Sequence, residues 1–140
     1  MENSDVAAEI IPLERAALDR WGKGEPQGYL DLYAPEITYF DPAVAHRIDG
    51  LEGMKTYLAP ITGKVKVSRY DMIAPKVQRY GEVAVLSFQL TSFGLKPDGT
   101  EQVQARWNST AVYRQIGGTW KTAHTHWSYI QPELKTPPSQ

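Results

Sequence analysis

The stretch Trp120-Lys121-Thr122-Ala123-His124-Thr125-His126-Trp127-Ser128-Tyr129 reads as the last strand of the chain, and its reading decides the fold. It holds two of the three histidines, placed two residues apart. In a strand that spacing puts both imidazoles on one face of a sheet.

Working outward, Gly117-Gly118 fits a two-residue hairpin, because both central positions of such turns favour positive φ. Pairing Ile116 with Thr119 then predicts the register. Tyr113 meets Thr122, Ala111 meets His124, Ser109 meets His126 and Trp107 meets Ser128 on one face. Val112 meets Ala123, Thr110 meets Thr125, Asn108 meets Trp127 and Arg106 meets Tyr129 on the other. The first face is too polar for a dry core and too aromatic for a wet surface, which suits a pocket. The second, with its aromatics and arginine, suits a subunit interface. A slip of one residue would dissolve this grouping.

The strands before this hairpin follow the same period of two. Val65–Tyr80 is strand-like but carries Pro75, so it is an edge strand or has a break. Glu82–Phe93 alternates, with Ala84, Leu86, Phe88 and Leu90 on one side and Ser87, Gln89 and Thr91 on the other. Lys96-Pro97-Asp98-Gly99 is a turn signal leading into a strand over Gln102–Gln115. The N-terminal third is helical. Ser4 is a candidate N-cap, and Ile10, Leu13, Ala17 and Trp21 recur near helical spacing. Pro12 interrupts that helix or opens its main part, and Gly22 and Gly24 end it. Tyr29, Leu32 and Tyr33 form the stripe of a short helix stopped by Pro35. Ile37–Phe40 reads as a strand running into Asp41-Pro42. Asp49 and Glu52 resemble a capping box for a helix bearing Leu51, Met54 and Leu58. Helices first and an antiparallel meander last predict an α+β domain with helices on one sheet face. One domain is expected over 1–131, with a mobile Pro-rich tail over 132–140.

The bulk numbers are those of a globular domain. The 140 residues are 41% hydrophobic and 22% charged, with 15 Lys+Arg against 16 Asp+Glu and a net charge of −1. That balance gives neither nucleic acid nor an anionic membrane an electrostatic hold. The absence of cysteine excludes disulfides, thiolate nucleophiles and cysteine–zinc sites. An acidic, polar start shows no secretory signal, and no apolar run approaches the roughly 20 residues that span a bilayer. The expectation is a cytoplasmic protein without a cofactor.

Three stretches carry a resemblance to a known family: Ala34-Pro35-Glu36-Ile37-Thr38-Tyr39-Phe40-Asp41-Pro42, Ile48-Asp49-Gly50-Leu51-Glu52-Gly53-Met54, and Gly118 through Ser128. Together they resemble the nuclear-transport-factor-2-like superfamily. The nearest branches are the SnoaL-like proteins and the association (hub) domain of calcium/calmodulin-dependent protein kinase II. The resemblance spans roughly Ile10 to Ile130. It implies a cystatin-like cone, a curved antiparallel sheet wrapped around N-terminal helices, with a cavity between them and a homodimer through the outer sheet face. The kinase hub lines part of its cavity with arginines, and the matching positions here are Ser87 and Ala111. The polyketide cyclases and ketosteroid isomerases of the superfamily act by acid–base chemistry on carbonyl substrates, although one fold hosts many activities.

Asp41, His124 and His126 are the candidate catalytic residues. Imidazole titrates near neutral pH, and a carboxylate in an apolar pocket can take a proton from a carbon acid. The competing reading of the histidines is a pocket wall satisfied by Ser109 and tyrosines. That of Asp41 is a turn cap beside Pro42. Tyr33, Tyr39, Tyr57, Trp107, Ser109, Tyr113 and Ser128 are the candidate substrate contacts, with Trp21, Tyr29 and Met54 as further wall residues from the helices. His46 and Arg47 read as loop residues near the mouth.

No metal site is expected. The His-x-His pair lacks the following glutamate of a cupin ligand set, whose position is Ile130. A Ser109–His126–Asp41 hydrolase is rejected for want of a nucleophile elbow. The expected function is binding of a small molecule, with cofactor-independent isomerase, cyclase or dehydratase chemistry by proton transfer. The alternative is a non-catalytic dimerisation or assembly module.

Overall fold

A computed structural model describes residues 2–131, with side chains from Asp5 onward. The elements are α1 (Glu2–Gly22), α2 (Gln27–Leu32), β1 (Tyr33–Phe40), β2 (Ile48–Asp49), α3 (Gly50–Leu58), β3 (Arg69–Tyr80), β4 (Val83–Leu95), β5 (Glu101–Ile116) and β6 (Thr119–Tyr129), with a 3-10 turn at Ala59–Ile61. One six-stranded sheet runs β2-β1-β6-β5-β4-β3. This is the expected α+β architecture with N-terminal helices on one face. All pairings are antiparallel except β1 with β6, which run parallel.

α1 begins two residues before Ser4 and continues through Pro12, which sits on its exposed side. Its buried stripe is Val6, Ile10, Glu14, Ala17 and Leu18, so Glu14 takes the inward place that apolar Leu13 was expected to fill. Leu13 instead faces out, more than a third exposed. The capping box is corrected too. Asp49 is the N-cap of α3 but makes no capping hydrogen bond, and its carboxylate pairs with Arg47. Pro35 does not stop α2. It lies within β1, where the ladder to β6 is irregular between Tyr33 and Thr38, as suits a residue without an N–H. Pro75 marks a register shift between Ile73 and Lys76 in β3, an edge strand, and both expectations for it hold together.

The expected alternation of β4 is present: Ala84, Leu86, Phe88 and Leu90 are buried against the helices. Gly117 and Gly118 have φ of 54° and 83°, and Ile116 pairs with Thr119 as the turn predicts. The register holds through Tyr113–Thr122. Then Ala123 is left over as a bulge, and His124 pairs with Val112, Thr125 with Ala111, His126 with Thr110 and Trp127 with Ser109. An extra residue on one strand bends the sheet and turns every following side chain to the opposite face. The irregular part of β1 lies across from the same bulge, so β6 bends where both neighbours are released from strict pairing.

The inner face of the β5–β6 ladder is therefore Tyr113, Ala111, Ser109 and Trp107 with Thr122, Thr125, Trp127 and Tyr129. The outer face takes Val112, Thr110, Asn108 and Arg106 with His124, His126 and Ser128. The expected grouping of both histidines and Ser128 with Tyr113 and Ser109 is overturned. So is the placing of Trp127 and Tyr129 on an interface face. Ser87 also lies outward, on the side of β4 opposite Leu86 and Phe88. The expected tail from Pro132 lies outside the described residues.

Candidate functional site

Between the helices and the inner sheet face lies a cavity of about 260 Å³. α1 supplies Leu18 and Trp21 to its wall and α2 supplies Tyr29. β1 adds Tyr33 and Tyr39, and the chain beyond β1 adds Asp41. β3 to β6 complete it with Tyr70, Leu90, Ser92, Trp107 and Trp127. The wall is mostly aromatic and aliphatic, with a few polar groups, as ligand sites generally are. Among the described residues, no Lys, Arg or His lines it.

Asp41 is the one acidic residue of the wall among the described residues, and three donors hold it. The Tyr39 hydroxyl donates to Oδ2 at 2.8 Å and the Tyr57 hydroxyl to the same oxygen at 2.6 Å. The Ala43 backbone N–H donates to Oδ1 at 2.7 Å. Both readings of Asp41 thus coexist: it caps the turn at Pro42 and it faces the cavity. The alternation of β1 explains why Tyr39 points inward with it, while Thr38 and Phe40 point outward. Tyr57 reaches Asp41 from α3, with its ring 5.9 Å from that of Tyr39. Burial, then the nearby Asp41, pushes the Tyr57 phenol well above its ordinary value.

A second carboxylate was not anticipated. Glu14 is 1% exposed and accepts hydrogen bonds from Tyr29 at 2.7 Å and Tyr113 at 2.6 Å. Burial raises its carboxyl above the usual range, and the two phenols only partly offset this. The sequence held one signal for it, a carboxylate four residues after Ile10 and three before Ala17, on an apolar stripe.

Of the remaining expected site residues, Tyr33, Tyr39 and Trp107 line the cavity beside Asp41, as do Trp21 and Tyr29. Tyr113 is fully buried behind the wall with its hydroxyl on Glu14. Ser109 is buried on the inner face with its hydroxyl unpaired, and Met54 is sealed in the core. Ser128 and both histidines are on the outer face, away from Asp41. His124 Nδ1 lies 2.8 Å from Thr38 Oγ1, and the Phe40 ring stands 5.1 Å from that of His126. Burial, then His126, lowers the His124 imidazole. Trp127, expected at an interface, is a cavity wall, stacked edge-on against Trp107 and Phe88.

Comparison with known proteins agrees with this architecture. Residues 6–131 match the family described as the calcium/calmodulin dependent protein kinase II association domain. A curated relative, the calcium/calmodulin-dependent protein kinase type II alpha chain of Drosophila melanogaster, is 25% identical in an alignment 122 residues long that covers 84% of this chain. The match covers 23% of that kinase, so the chain spans less than a quarter of its length. Among solved structures, a candidate ketosteroid isomerase from Parabacteroides distasonis is 36% identical with a TM-score of 0.75, over 89% of this chain and 87% of that one. The association domain of the C. elegans kinase is 22% identical with a TM-score of 0.76, over 91% and 98% of the two chains. Nuclear-transport-factor-2-like and cystatin-like proteins share the same fold. Among the described residues no helix is long and apolar enough to cross a membrane.

Proposed function

The chain belongs to the calcium/calmodulin dependent protein kinase II association domain family, and on that premise we propose that it binds a small, largely apolar carbonyl compound in its cavity and moves a proton on it without a cofactor. The observation that carries this reading is Asp41, a carboxylate fixed by Tyr39, Tyr57 and the Ala43 N–H at the wall of an aromatic cavity. Two oxygens offer about four lone-pair sites. Three are taken, and the fourth, on Oδ1, is free to accept a proton. Asp41 then removes a proton from the carbon beside the carbonyl. The C–H electron pair becomes a C=C bond, the carbonyl π pair moves to oxygen, and the proton returns to carbon. Isomerisation, cyclisation and dehydration all begin with this step. The likeness to a candidate ketosteroid isomerase supports the same class. With about 260 Å³, below the roughly 300 Å³ floor of typical ligand pockets, the cavity fits a small ligand.

The test needs no knowledge of the natural substrate. Purified protein is incubated with the bicyclic ketone 1-decalone in D2O, and deuterium entering the carbon next to the carbonyl is followed by mass spectrometry. Wild type is expected to accelerate exchange over buffer, and Asp41→Asn to lose the acceleration. Equal exchange by the two proteins would overturn the role of Asp41.

A second reading rests on the outer sheet face, where Ile73, Val83 and Val103 are each more than a third exposed beside half-buried Phe93 and Val112. A second copy of this chain is the proposed occupant, in keeping with the association-domain family. Sedimentation equilibrium should give a dimer or larger assembly at micromolar concentration, and a monomer there would contradict it.

A further inference from the structure

Aromatic side chains converge on the cavity from both of its sides. From the helices, Trp21 and Tyr29 meet with ring centroids 6.1 Å apart and planes at 78°. From the sheet, Trp107 and Trp127 meet at 5.8 Å and 82°. Each pair makes a corner in which two rings stand nearly at right angles. The face of an aromatic ring carries the negative part of its quadrupole, so such corners attract positive charge. Among the described residues the wall has no Lys, Arg or His, and its one acidic residue is Asp41.

The phenols of the wall favour the same sign. A phenol has one hydrogen to donate. Tyr29 gives its hydrogen to Glu14 at 2.7 Å, Tyr39 to Asp41 at 2.8 Å, and Tyr70 to Asp19 at 2.8 Å. Their oxygens keep only lone pairs for a ligand, and donation to a carboxylate polarises each phenol toward greater negative charge. An anion finds no partner on such a wall, whereas a cation meets ring faces, phenol oxygens and Asp41 together. The cation must be weakly hydrated, because a mostly apolar cavity strips its water away. A primary ammonium brings three N–H donors that need acceptors, and a quaternary ammonium brings none.

We infer that the cavity is a binding site for a small quaternary ammonium compound, with the aromatic corners as its walls and Asp41 as its counter-charge. The cavity of about 260 Å³ limits the ligand to a compact one. This goes beyond the proposed function. It uses the charge of Asp41 and not its basicity, so it holds whether or not a proton is moved in the same cavity.

The experiment compares choline with 3,3-dimethylbutan-1-ol, which has the same shape with carbon in place of the charged nitrogen. Calorimetric titration of the full chain gives each affinity, and proton NMR follows the methyl resonances. Choline is expected to bind about tenfold or more tighter than the alcohol. Its methyl protons should move upfield on saturation, as protons held over aromatic faces do. Trp127→Leu should weaken choline by up to about thirtyfold, the worth of one desolvated cation–π contact, and the alcohol by less. Asp41→Asn should weaken choline by about tenfold or more and leave the alcohol unchanged. Equal affinity of wild type for the two probes overturns the inference, whether or not either variant folds. Choline bound with unshifted methyl protons lies outside the cavity and overturns it too, as does ethanolamine bound more tightly than choline. Choline affinity unchanged in Asp41→Asn overturns the counter-charge. Deuterium exchange into 1-decalone without choline binding overturns this inference alone. Choline binding without that exchange upholds it while the proposed function falls.

Discussion

Glu14 and Asp41 are built from the same parts and differ in what surrounds them. Each carboxylate accepts two tyrosine hydroxyls, at 2.7 and 2.6 Å for Glu14 and at 2.8 and 2.6 Å for Asp41. Glu14 is sealed between α1, α2 and β5, and burial raises its carboxyl in spite of both donors. Asp41 sits at the end of β1 on the cavity wall, with a backbone N–H as third donor. The comparison teaches that paired phenols do not by themselves mark a reactive carboxylate. Access to the cavity separates them: Glu14 ties helix to sheet, and Asp41 lines the cavity wall.

Exchanging the two carboxylates for neutral residues should break this symmetry most clearly in activity. Asp41→Asn is expected to lower ketone exchange in D2O by about 100-fold or more, the lower end of what a positioned general base contributes. Glu14→Gln should retain most of that exchange, as mass spectrometry of the product would show. Stability should reverse the order. Glu14→Ala leaves the Tyr29 and Tyr113 hydroxyls buried without their acceptor, which costs about 2–4 kcal/mol in urea unfolding. Asp41→Ala frees two hydroxyls that are nearer the cavity, so its unfolding midpoint should fall by less.

The pH dependence sharpens the contrast. Because Glu14 binds its proton more tightly when folded, its protonated form favours folding. Its contribution is therefore fully present below the unfolded value of 4.5 and is lost as pH rises through the raised folded value. Urea titrations across that range should show this falling component in wild type and its absence in Glu14→Gln. The smallest effect is expected on the outer face. His126→Ala should leave cavity binding of 1-decalone unchanged and stability within about 0.5 kcal/mol, since His126 is exposed and on the far side of the sheet.

The sequence makes the fold legible where local chemistry and pattern agree. Gly117-Gly118 dictates a positive-φ turn, β4 alternates cleanly, and Asp41 stands out as a carboxylate following an inward tyrosine. Legibility ends at Ala123. Beyond it, His124, Thr125, His126 and Trp127 mix polar and aromatic side chains without an apolar alternation, so their pattern does not choose between the faces. A period-two pattern then cannot locate a bulge. The nearest sign is Pro35, in the stretch of β1 that lies across from it. Glu14 was hidden for a related reason. A carboxylate one position from Leu13 reads as the polar side of an amphipathic helix, and only the convergence of Tyr29 and Tyr113 from distant segments makes its burial tenable. The histidine pair suggests chemistry because imidazole titrates near neutral pH. Its face, however, is set by one unpaired alanine.

On the proposed function, Asp41 and not Glu14 meets the ligand. Carbon-13 NMR of protein labelled at the aspartate and glutamate side-chain carboxyls tests it directly during titration with 1-decalone. The expected result is a saturable shift of the Asp41 carboxyl carbon with that of Glu14 nearly still. A ketone that moves Glu14 and leaves Asp41 unmoved, or that moves neither, would contradict the account.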